Sequence, residues 1–392
     1  MNVAGIIAEY NPFHQGHAFH LEKTRCLTHA DYIVVLMSGN YVQRGTPAIF
    51  DKYIRAKAAL LNGADLVLEL PPATATSSAE HFAFGAVRLL FGTGVVTDLC
   101  FGSECGVLDS LNTLAGLLAE EPDRYRELLR EALRSGRTYP QARMWALHRY
   151  DERLPVKLLS MPNNLLAVEY LKALRRLRAP IRPHTIPRNG MDYHGQQLIP
   201  WQTASASAVR QALLDSRGAF TDAVKEQLPS WEIYGAYADC PPMTDNAFSL
   251  LLLERLRRVP GESFQKYFGV TEELSNRIRN HLDDFQSFSQ FTDLLKTRNL
   301  TRTAVSRALL HILLEIRTCE PAHCLRILGF RKDAAPLLKE LSVRASLPLV
   351  NAPDSEHLPE SWLYADRLYE SVRSLLHGRP YVNERRRKML VI

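Results

Sequence analysis

The chain has 392 residues, of which 46% are hydrophobic and 23% are charged, and such values are typical of globular proteins. Its formal charge of +6 allows a polyanionic partner without requiring one. No uninterrupted apolar run approaches the ~18 residues of a membrane span, and the first residues lack the features of a secretory signal. We therefore expect a cytoplasmic protein of roughly two or three domains without a membrane partner.

The first half of the chain alternates between strand-like and helix-like patterns. The strand-like runs cover residues 3–10, 31–37, 64–70 and 95–104, and the helix-like patterns cover residues 18–29, 52–64 and 77–91. Such an alternation predicts an α/β fold in which helices surround a Rossmann-like parallel sheet.

The pattern changes further along the chain. Residues 122–178 are mostly helical, and a strand at residues 181–187 precedes a serine-capped helix at residues 205–215. Beyond about residue 230, long helical patterns dominate. We therefore expect a first domain of residues 1–229 and an α-helical domain of residues 230–392.

The segment NPFHQGH, residues 11–17, follows the first strand and precedes the first helix. In an open α/β sheet, ligands bind beyond the carboxyl ends of the strands. Pro12 fixes the turn, Gly16 allows the backbone to approach a ligand, and the helix N-terminus attracts an anion. His14 and His17 can donate hydrogen bonds to phosphate and stabilise charge on a pentavalent phosphorus. This segment therefore predicts a phosphate-binding site.

Metal sites are the alternative explanation for the histidines. His14, His17 and His20 could share one face, but the H-E-x-x-H spacing is absent, and His20 alone suits a helix surface equally well. A zinc site at Cys319, His323 and Cys324, with His311, matches no regular zinc motif. The six cysteines contain no C-x-x-C pair and are expected to be reduced. We therefore predict no metal-ligating residues.

Two signatures together carry a resemblance to known enzymes. N-P-F-H-x-G-H resembles the H-x-G-H signature of the nucleotidyltransferase α/β-phosphodiesterase superfamily, and residues 205–210, SASAVR, resemble its second signature, S-x-S-x-[IV]-R. The segments AEYNPFHQGHAFHL, MSGNYVQRGTPAIFDKYIRAKAALLNGADLVLELP, FGSE and PNNLLAVEYLKAL resemble the bacterial tRNA(Met) cytidine acetate ligase family. The resemblance covers nearly all of the first domain and implies a HIGH-type nucleotidyltransferase, ATP-binding catalytic domain there.

The resemblance also implies an activity. Members of this family use ATP to activate acetate as acetyl-adenylate and then acetylate the exocyclic amine of the wobble cytidine in elongator tRNA(Met), forming N(4)-acetylcytidine. ATP chemistry generally requires Mg²⁺, so we expect ATP with Mg²⁺. Alternatives are a small-molecule nucleotidyltransferase of cofactor biosynthesis, or a non-catalytic RNA-binding protein with a vestigial nucleotide pocket. The oligomeric state stays open.

By the same resemblance, residues of both signatures are catalytic. His14 and His17 would contact the α- and β-phosphates, and Ser205 and Arg210 would bind on the side of the β- and γ-phosphates. The implied nucleotide-binding residues are Ile7, Ala8, Glu9, Tyr10, Asn11, Pro12, Phe13, His14, Gln15, Gly16, His17, Ala18, Phe19 and His20, together with Gly102, Asn163 and Arg188.

Further polar residues follow predicted strands. Asn40, Gln43 and Arg44 are candidates for the acetate or cytidine pocket, with a structural loop as the alternative. Glu104 is expected to orient an arginine, to bind Mg²⁺ indirectly, or to cap a helix. Most of the cations on the helix after residue 51 are expected to be solvated; they are Lys52, Arg55 and Lys57.

Two stretches, residues 121–190 and 296–332, are richer in Lys and Arg than in Asp and Glu. A tRNA is held largely through phosphate contacts, and a single-stranded wobble base can enter a pocket. We expect cations of these stretches to contribute to a tRNA surface, with solvated helix faces as the alternative.

Overall fold

The structure is a computed structural model that describes residues 1–188, 204–258, 263–351 and 357–392. The strands are β1 (Val3–Ala8), β2 (Tyr32–Ser38), β3 (Tyr41–Val42), β4 (Thr46–Pro47), β5 (Leu66–Leu70), β6 (Asp98–Ser103), β7 (Arg182–Pro187), β8 (Leu325–Phe330), β9 (Leu349–Val350) and β10 (Leu390–Val391).

Helices surround these strands. They are α1 (Gln15–Thr28), α2 (Lys52–Leu61), α3 (Pro72–Ala75), α4 (Ala79–Gly92), α5 (Leu108–Glu120), α6 (Asp123–Arg134), α7 (Tyr139–Tyr150), α8 (Pro162–Leu177), α9 (Ala206–Asp215), α10 (Asp222–Gln227), α11 (Ser249–Arg257), α12 (Glu272–Asn280), α13 (Phe288–Leu295), α14 (Arg302–Leu313), α15 (Ala335–Arg344) and α16 (Glu360–Leu376).

The central sheet has the strand order β10-β8-β5-β2-β1-β6-β7, and β9 pairs with β8. The pairs among β5, β2, β1, β6 and β7 are all parallel. The carboxyl ends of these strands therefore lie at one edge, where the loops that follow them meet. The predicted α/β fold with a mostly parallel sheet is confirmed.

The sheet is buried on both faces, as its apolar strands require. One face packs against α4, α5 and α8 through side chains such as Phe82, Leu114 and Leu171. The other face packs against α1, α2 and α9 through Leu21, Ala56 and Val209. The helix that carries the second signature and the helix that follows the first signature thus lie on the same side of the sheet.

The second half is rich in helices but is not exclusively helical, which corrects that part of the prediction. β8 pairs antiparallel with β5, and both β9 and β10 pair parallel with β8. The run LRILGF is buried and satisfies the otherwise unpaired edge of β5, a long-range pairing that no local pattern indicates. The domain boundary at residue 229 stays a prediction.

A separate apolar cluster forms the core of the helical part. It includes Phe248, Leu252, Phe291 and Leu309, and Tyr41 of the β3–β4 hairpin enters it. The hydroxyl of Tyr41 donates a hydrogen bond to the carbonyl of Ala365, 3.3 Å away. The hairpin after β2 is therefore packed between the sheet and the helical part.

A fully buried cluster of charges also joins the two parts. Nζ of Lys52 lies 3.0 Å from Glu69, 2.5 Å from Asp366 and 3.0 Å from Glu384. Arg326 pairs with the same three carboxylates, at 3.0 Å from Glu69 and 2.8 Å from Asp366. Two cations and three carboxylates thus share one interior site.

The expectation that the cations of α2 are mostly solvated was wrong for two of them. Lys52 and Arg55 are fully buried, and Lys57 is partly exposed. Lys52 is retained inside because carboxylates distant in sequence surround it, and Arg55 because backbone carbonyls do. The sequence of one helix contains no sign of such partners.

Candidate active site

The turn from β1 into α1 is closed by two histidines that cap the helix reciprocally. Nδ1 of His14 accepts a hydrogen bond from the backbone N–H of Gly16 at 3.0 Å. Nδ1 of His17 accepts one from the backbone N–H of His14 at 3.2 Å. This is the geometry of a capping box, with imidazoles in place of the usual hydroxyl and carboxylate.

These bonds fix the tautomer of both rings. A neutral imidazole that accepts at Nδ1 must carry its proton at Nε2. No described residue accepts a hydrogen bond from Nε2 of His14 or His17, and the ring centroids lie 3.8 Å apart. The turn therefore presents two adjacent Nε2–H donors.

The same rings are uncharged at neutral pH. Burial, with the nearby cations Arg188 and Arg210, lowers the pKa of His14 to about 3. Burial and the neighbouring His14 lower the pKa of His17 well below its usual value. In the free protein the two histidines are thus hydrogen-bond donors, and the positive charge of the site belongs to the arginines.

His20 lies one turn further along α1 and belongs to the same region. Its Nε2 is buried without a hydrogen-bond partner among the described residues. Burial and the charge of Arg188 lower its pKa to about 4. Because a buried unpaired nitrogen is costly, a bound ligand is a better explanation for this ring than an exposed helix surface.

The second signature is held against the first. Ser205 caps α9 by accepting from the backbone N–H of Ala208 at 3.1 Å. Arg210, one turn later, donates to the backbone carbonyl of Asn11 and, at 3.0 Å, to the hydroxyl of Ser207. Burial and nearby Arg44 lower the pKa of Arg210 to about 10, so its guanidinium stays charged at pH 7. The structure thus brings the two signatures into direct contact.

Gly102, Asn163 and Arg188 form the opposite side of the site. A Cβ at Gly102 would lie 3.2 Å from Cδ of Arg188, so a side chain at this position would press on the arginine. Nη1 of Arg188 donates to the side-chain oxygen of Asn163 at 3.3 Å. β6 pairs with β1 and β7 pairs with β6, all parallel, so this group and the histidines lie at the same edge of the sheet.

Glu104 serves two of its three predicted roles. One carboxylate oxygen accepts from the backbone and side-chain N–H groups of Asn163 at 3.0 and 2.7 Å, and the other accepts from the backbone N–H of Asn164 at 2.7 Å. Glu104 therefore caps α8, and it orients Arg188 through Asn163.

The remaining residues of the predicted segment have different environments. Ile7 and Ala8 end β1, and Tyr10 has a left-handed backbone with φ of 48°. Pro12 follows a cis peptide bond, and Phe13 is buried 4.8 Å from the ring of Tyr10. These residues shape the turn from within.

Four further residues of that segment divide between the site and the surface. Gly16 is buried at the cap, and Ala18 packs on the adjacent core. Phe19 is exposed and lies beneath the ammonium of Lys23, and the side chain of Gln15 donates to the carbonyl of Glu226 at 3.2 Å. The structure does not bring Phe19 or the Gln15 side chain together with the histidines.

Arg55 is a site residue that the sequence reasoning missed. It donates to the carbonyls of Glu9 at 2.6 Å and Ser38 at 3.1 Å, and also to that of Gly39. It thereby ties the carboxyl ends of β1 and β2 together beneath the turn. An arginine among the apolar residues of KYIRAKAALL was the available signal.

A cavity of about 140 Å³ adjoins Arg210. Its lining residues are Glu9, Asn11, Val42, Arg44, Thr46, Pro47, Ile49, Arg210, Leu214, Met243, Thr244 and Asp245. Of the three residues suggested for an acetate or cytidine pocket, Arg44 lines it. Asn40 is instead bonded to Asp366 at 3.0 Å and to the backbone of Lys52 at 2.9 Å.

Neither a candidate metal cluster nor a candidate membrane-spanning helix is found in the part of the chain that the structure describes. There, no three His, Cys, Asp or Glu side chains are grouped so that they could hold a metal ion. Across the same residues, no helix combines the length and apolar character needed to cross a membrane.

A parallel sheet whose first strand leads into H-x-G-H, with the second signature bonded to that turn, defines a nucleotidyltransferase of the HIGH class. The family model described as HIGH Nucleotidyl Transferase matches residues 1–384. Within this class, the chain belongs to the tRNA(Met) cytidine acetate ligase family. Proteins of that name from Acetivibrio thermocellus and Halothermothrix orenii are 38% and 34% identical to it. The alignments cover 89% of this chain and 88% of the first relative, and 100% and 99% respectively for the second.

Solved structures agree with this assignment. The apo crystal structure of Thermotoga maritima TmcAL is 31% identical in sequence and matches with a TM-score of 0.91 over 100% of both chains. Its form bound with alpha-thio ATP matches with a TM-score of 0.84 over 99% of this chain and 97% of that chain. The family and fold predicted from the sequence are confirmed.

Proposed function

We propose that this protein is an ATP-dependent acetate ligase that forms acetyl-adenylate and transfers the acetyl group to the exocyclic amine of the wobble cytidine in elongator tRNA(Met). The observation that carries the proposal is the pair of capping histidines, which leaves two Nε2–H donors at a helix N-terminus beside Arg188 and Arg210. Backbone amides and a dipole at such a terminus favour phosphate.

In the first step, an oxygen of acetate attacks the α-phosphorus of ATP and pyrophosphate leaves. The protein positions the reactants and stabilises charge, which supplies most of the rate gain in such reactions. His14 and His17 donate from Nε2 to the α- and β-phosphates. Arg210 and the hydroxyl of Ser205 bind on the pyrophosphate side, with Arg210 already placed by its bond to Asn11.

The adenosine is placed on the side of β6 and β7. Gly102 leaves the space in which the side chain of Arg188 lies, and Arg188, held by Asn163, supplies a cation there. Mg²⁺ would screen the phosphates and be held mainly by their oxygens. Glu104 was considered as an indirect Mg²⁺ ligand, but its carboxylate already accepts hydrogen bonds from the N-terminus of α8. This agrees with an ion held mainly by phosphate oxygens.

Some of the cations considered for tRNA binding are buried, which leaves a smaller set of candidates. In residues 121–188, Arg143 and Lys172 are buried and pair with Glu169, and in residues 296–332 Arg326 belongs to the interior cluster. Residues 189–190 of the first stretch lie outside the described residues. The exposed candidates are Arg124, Arg126, Arg130, Arg134, Arg149, Arg153, Lys157, Arg175, Arg176, Arg178, Arg182, Lys296, Arg298, Arg302, Arg317 and Lys332.

Two measurements on the purified protein test the proposal. Acetate-dependent exchange of labelled pyrophosphate into ATP reports the first step, and nucleoside analysis of treated elongator tRNA(Met) reports N(4)-acetylcytidine. Exchange that required a phosphorylated vitamin instead of acetate would identify a small-molecule nucleotidyltransferase. Absence of both products would leave an RNA-binding protein. Because ATP and tRNA meet in the cytoplasm, we place the reaction there.

A further inference from the structure

The cavity beside Arg210 is built by both halves of the chain. Glu9, Asn11 and Arg210 come from the nucleotide side, whereas Met243, Thr244 and Asp245 come from the second half. The β3–β4 hairpin and the residues that follow it line the rest of the cavity, together with Leu214. A ligand in this cavity would lie next to the groups assigned to ATP and still contact the helical part.

The size of the cavity suits one ring. Its volume is about 140 Å³, and cavities of about 150 Å³ admit a single six-membered ring such as benzene. Acetate, with four heavy atoms, would leave much of this space unfilled. A pyrimidine ring matches it better.

The lining also has the chemistry that a cytosine requires. Val42, Pro47, Ile49, Leu214 and Met243 provide apolar surface for the faces of a planar ring. Carboxylates of Glu9 and Asp245 can accept from an exocyclic amine, and guanidiniums of Arg44 and Arg210 can donate to the ring carbonyl and ring nitrogen.

Two of these charged groups keep capacity for a ligand. No described residue forms a hydrogen bond or ion pair with the Arg44 side chain. Asp245 accepts a hydrogen bond from the backbone N–H of Asn246 at 3.0 Å, and it belongs to no ion pair within 4.0 Å among the described residues. Glu9, in contrast, is engaged by the backbone N–H of Gln43 at 2.8 Å.

We propose that this cavity receives the target cytosine of the tRNA, turned out of its loop, and that the carboxylate of Asp245 accepts a proton from the exocyclic amine during acetyl transfer. The inference rests on the proposed function and deepens it. Enzymes that act on a base commonly take it out of the stack, and a single-stranded loop base is the cheapest to move.

The transfer balances with groups already named. The amine nitrogen attacks the carbonyl carbon of acetyl-adenylate, and a C–N bond forms. The bond between that carbon and the phosphate oxygen breaks, and AMP leaves as the anion. The nitrogen loses one proton to Asp245, which releases it to solvent. No oxidant, reductant or further reactant is needed.

The environment of Asp245 supports this role. Burial raises the pKa of its carboxyl above the ordinary value, against the opposing charge of Arg302. A carboxylate with a raised pKa is a better proton acceptor near neutral pH than an exposed aspartate.

The experiment compares Asp245→Asn with wild type in both half-reactions. We expect a loss of about 10²-fold or more in tRNA acetylation, the usual contribution of a positioned base, with acetate-dependent pyrophosphate exchange retained. Retained exchange also shows that the variant is folded. Asp283→Asn, a fully exposed acid of the same half, is the matched control and should acetylate normally.

A steric variant tests the cavity independently of the carboxylate. Thr244→Trp should fill the space and block acetylation while exchange continues. Acetylation by both variants at the wild-type rate would overturn the proposal. Loss of exchange in both, with circular dichroism spectra like that of the wild type, would place acetate in the cavity and would equally overturn the proposal. Wild-type protein inactive in both assays would instead refute the proposed function itself.

Discussion

Replacing Lys52 by methionine tests whether the buried charge cluster stabilises the protein. Nζ of Lys52 lies within 3.0 Å of three carboxylates, and its side chain is completely buried. Methionine keeps most of the volume but removes the charge, so Glu69, Asp366 and Glu384 would share one cation, Arg326, instead of two. Removing one partner of a buried ion pair costs about 3–5 kcal/mol, because the remaining charge stays desolvated.

The assay is urea unfolding followed by circular dichroism. We expect Lys52→Met to lower the free energy of unfolding by about 3–5 kcal/mol at pH 7. Lys57→Met is the control, since Lys57 lies on the same helix, is partly exposed and belongs to no ion pair among the described residues. An equal, small change in both variants would refute the reasoning.

The cluster also predicts how the deficit depends on pH. Burial raises the pKa of Asp366 to about 6, whereas nearby Lys52 and Arg326 outweigh burial and lower the pKa of Glu384 to about 2. Without Lys52, the pKa of Asp366 should rise further and the carboxyl should be protonated more readily. The deficit of Lys52→Met should therefore shrink as the pH is lowered from 7 to 5, because protonation removes the uncompensated charge.

Three further predictions concern the active site. His17→Ala should reduce acetate-dependent pyrophosphate exchange by about 10²-fold or more, because a hydrogen-bond donor to the phosphate is lost. The variant should lose only about 1 kcal/mol of stability, because one capping hydrogen bond is removed. Exchange at the wild-type rate would contradict the role assigned to His17. Arg210→Lys should also impair exchange, because a lysine ammonium lacks the planar guanidinium that can bond the carbonyl of Asn11 and a phosphate at the same time. Arg217→Lys, a substitution just beyond the same helix, is the control for both variants and should leave exchange unchanged. Burial lowers the pKa values of His14 and His20 to about 3 and 4, so the free energy of unfolding should fall as the pH drops from about 6.5 toward those values. Replacing His14 by glutamine should make this pH dependence of stability shallower. An unchanged pH dependence would show that the ring of His14 is solvated.

The parts of the site formed by residues close together in the chain could be predicted from the sequence, and the parts formed by distant residues could not. The turn around His14 and the serine cap of α9 are local, and a strand, a glycine and a cap residue mark them in the sequence. The grouping of Gly102, Asn163 and Arg188 with them came from the resemblance, because three loops that meet at a sheet edge leave no common local pattern. The cavity needed Met243 and Asp245 from the second half, and nothing in the sequence links those residues to Glu9.

The fold shows the same limit. The parallel strands were legible from short apolar runs, whereas the pairing of β8 with β5 depends on an edge that only the folded sheet presents. Lys52 and Arg55 look like solvent-facing cations in the sequence of α2. They are buried because Asp366, Glu384 and the carbonyls of neighbouring strands replace water around them.

The antiparallel pairing of β8 with β5 has a consequence for biosynthesis. While a ribosome makes residues 71–324, the edge of β5 has no β8 beside it, and Lys52 and Glu69 lack their partners Arg326, Asp366 and Glu384. An open strand edge is a template for wrong pairing between nascent chains. The nucleotide-binding half therefore reaches its final form only after β8 has been synthesised. A fragment that ends at residue 229 would keep the unpaired edge of β5 and would be prone to aggregation through it.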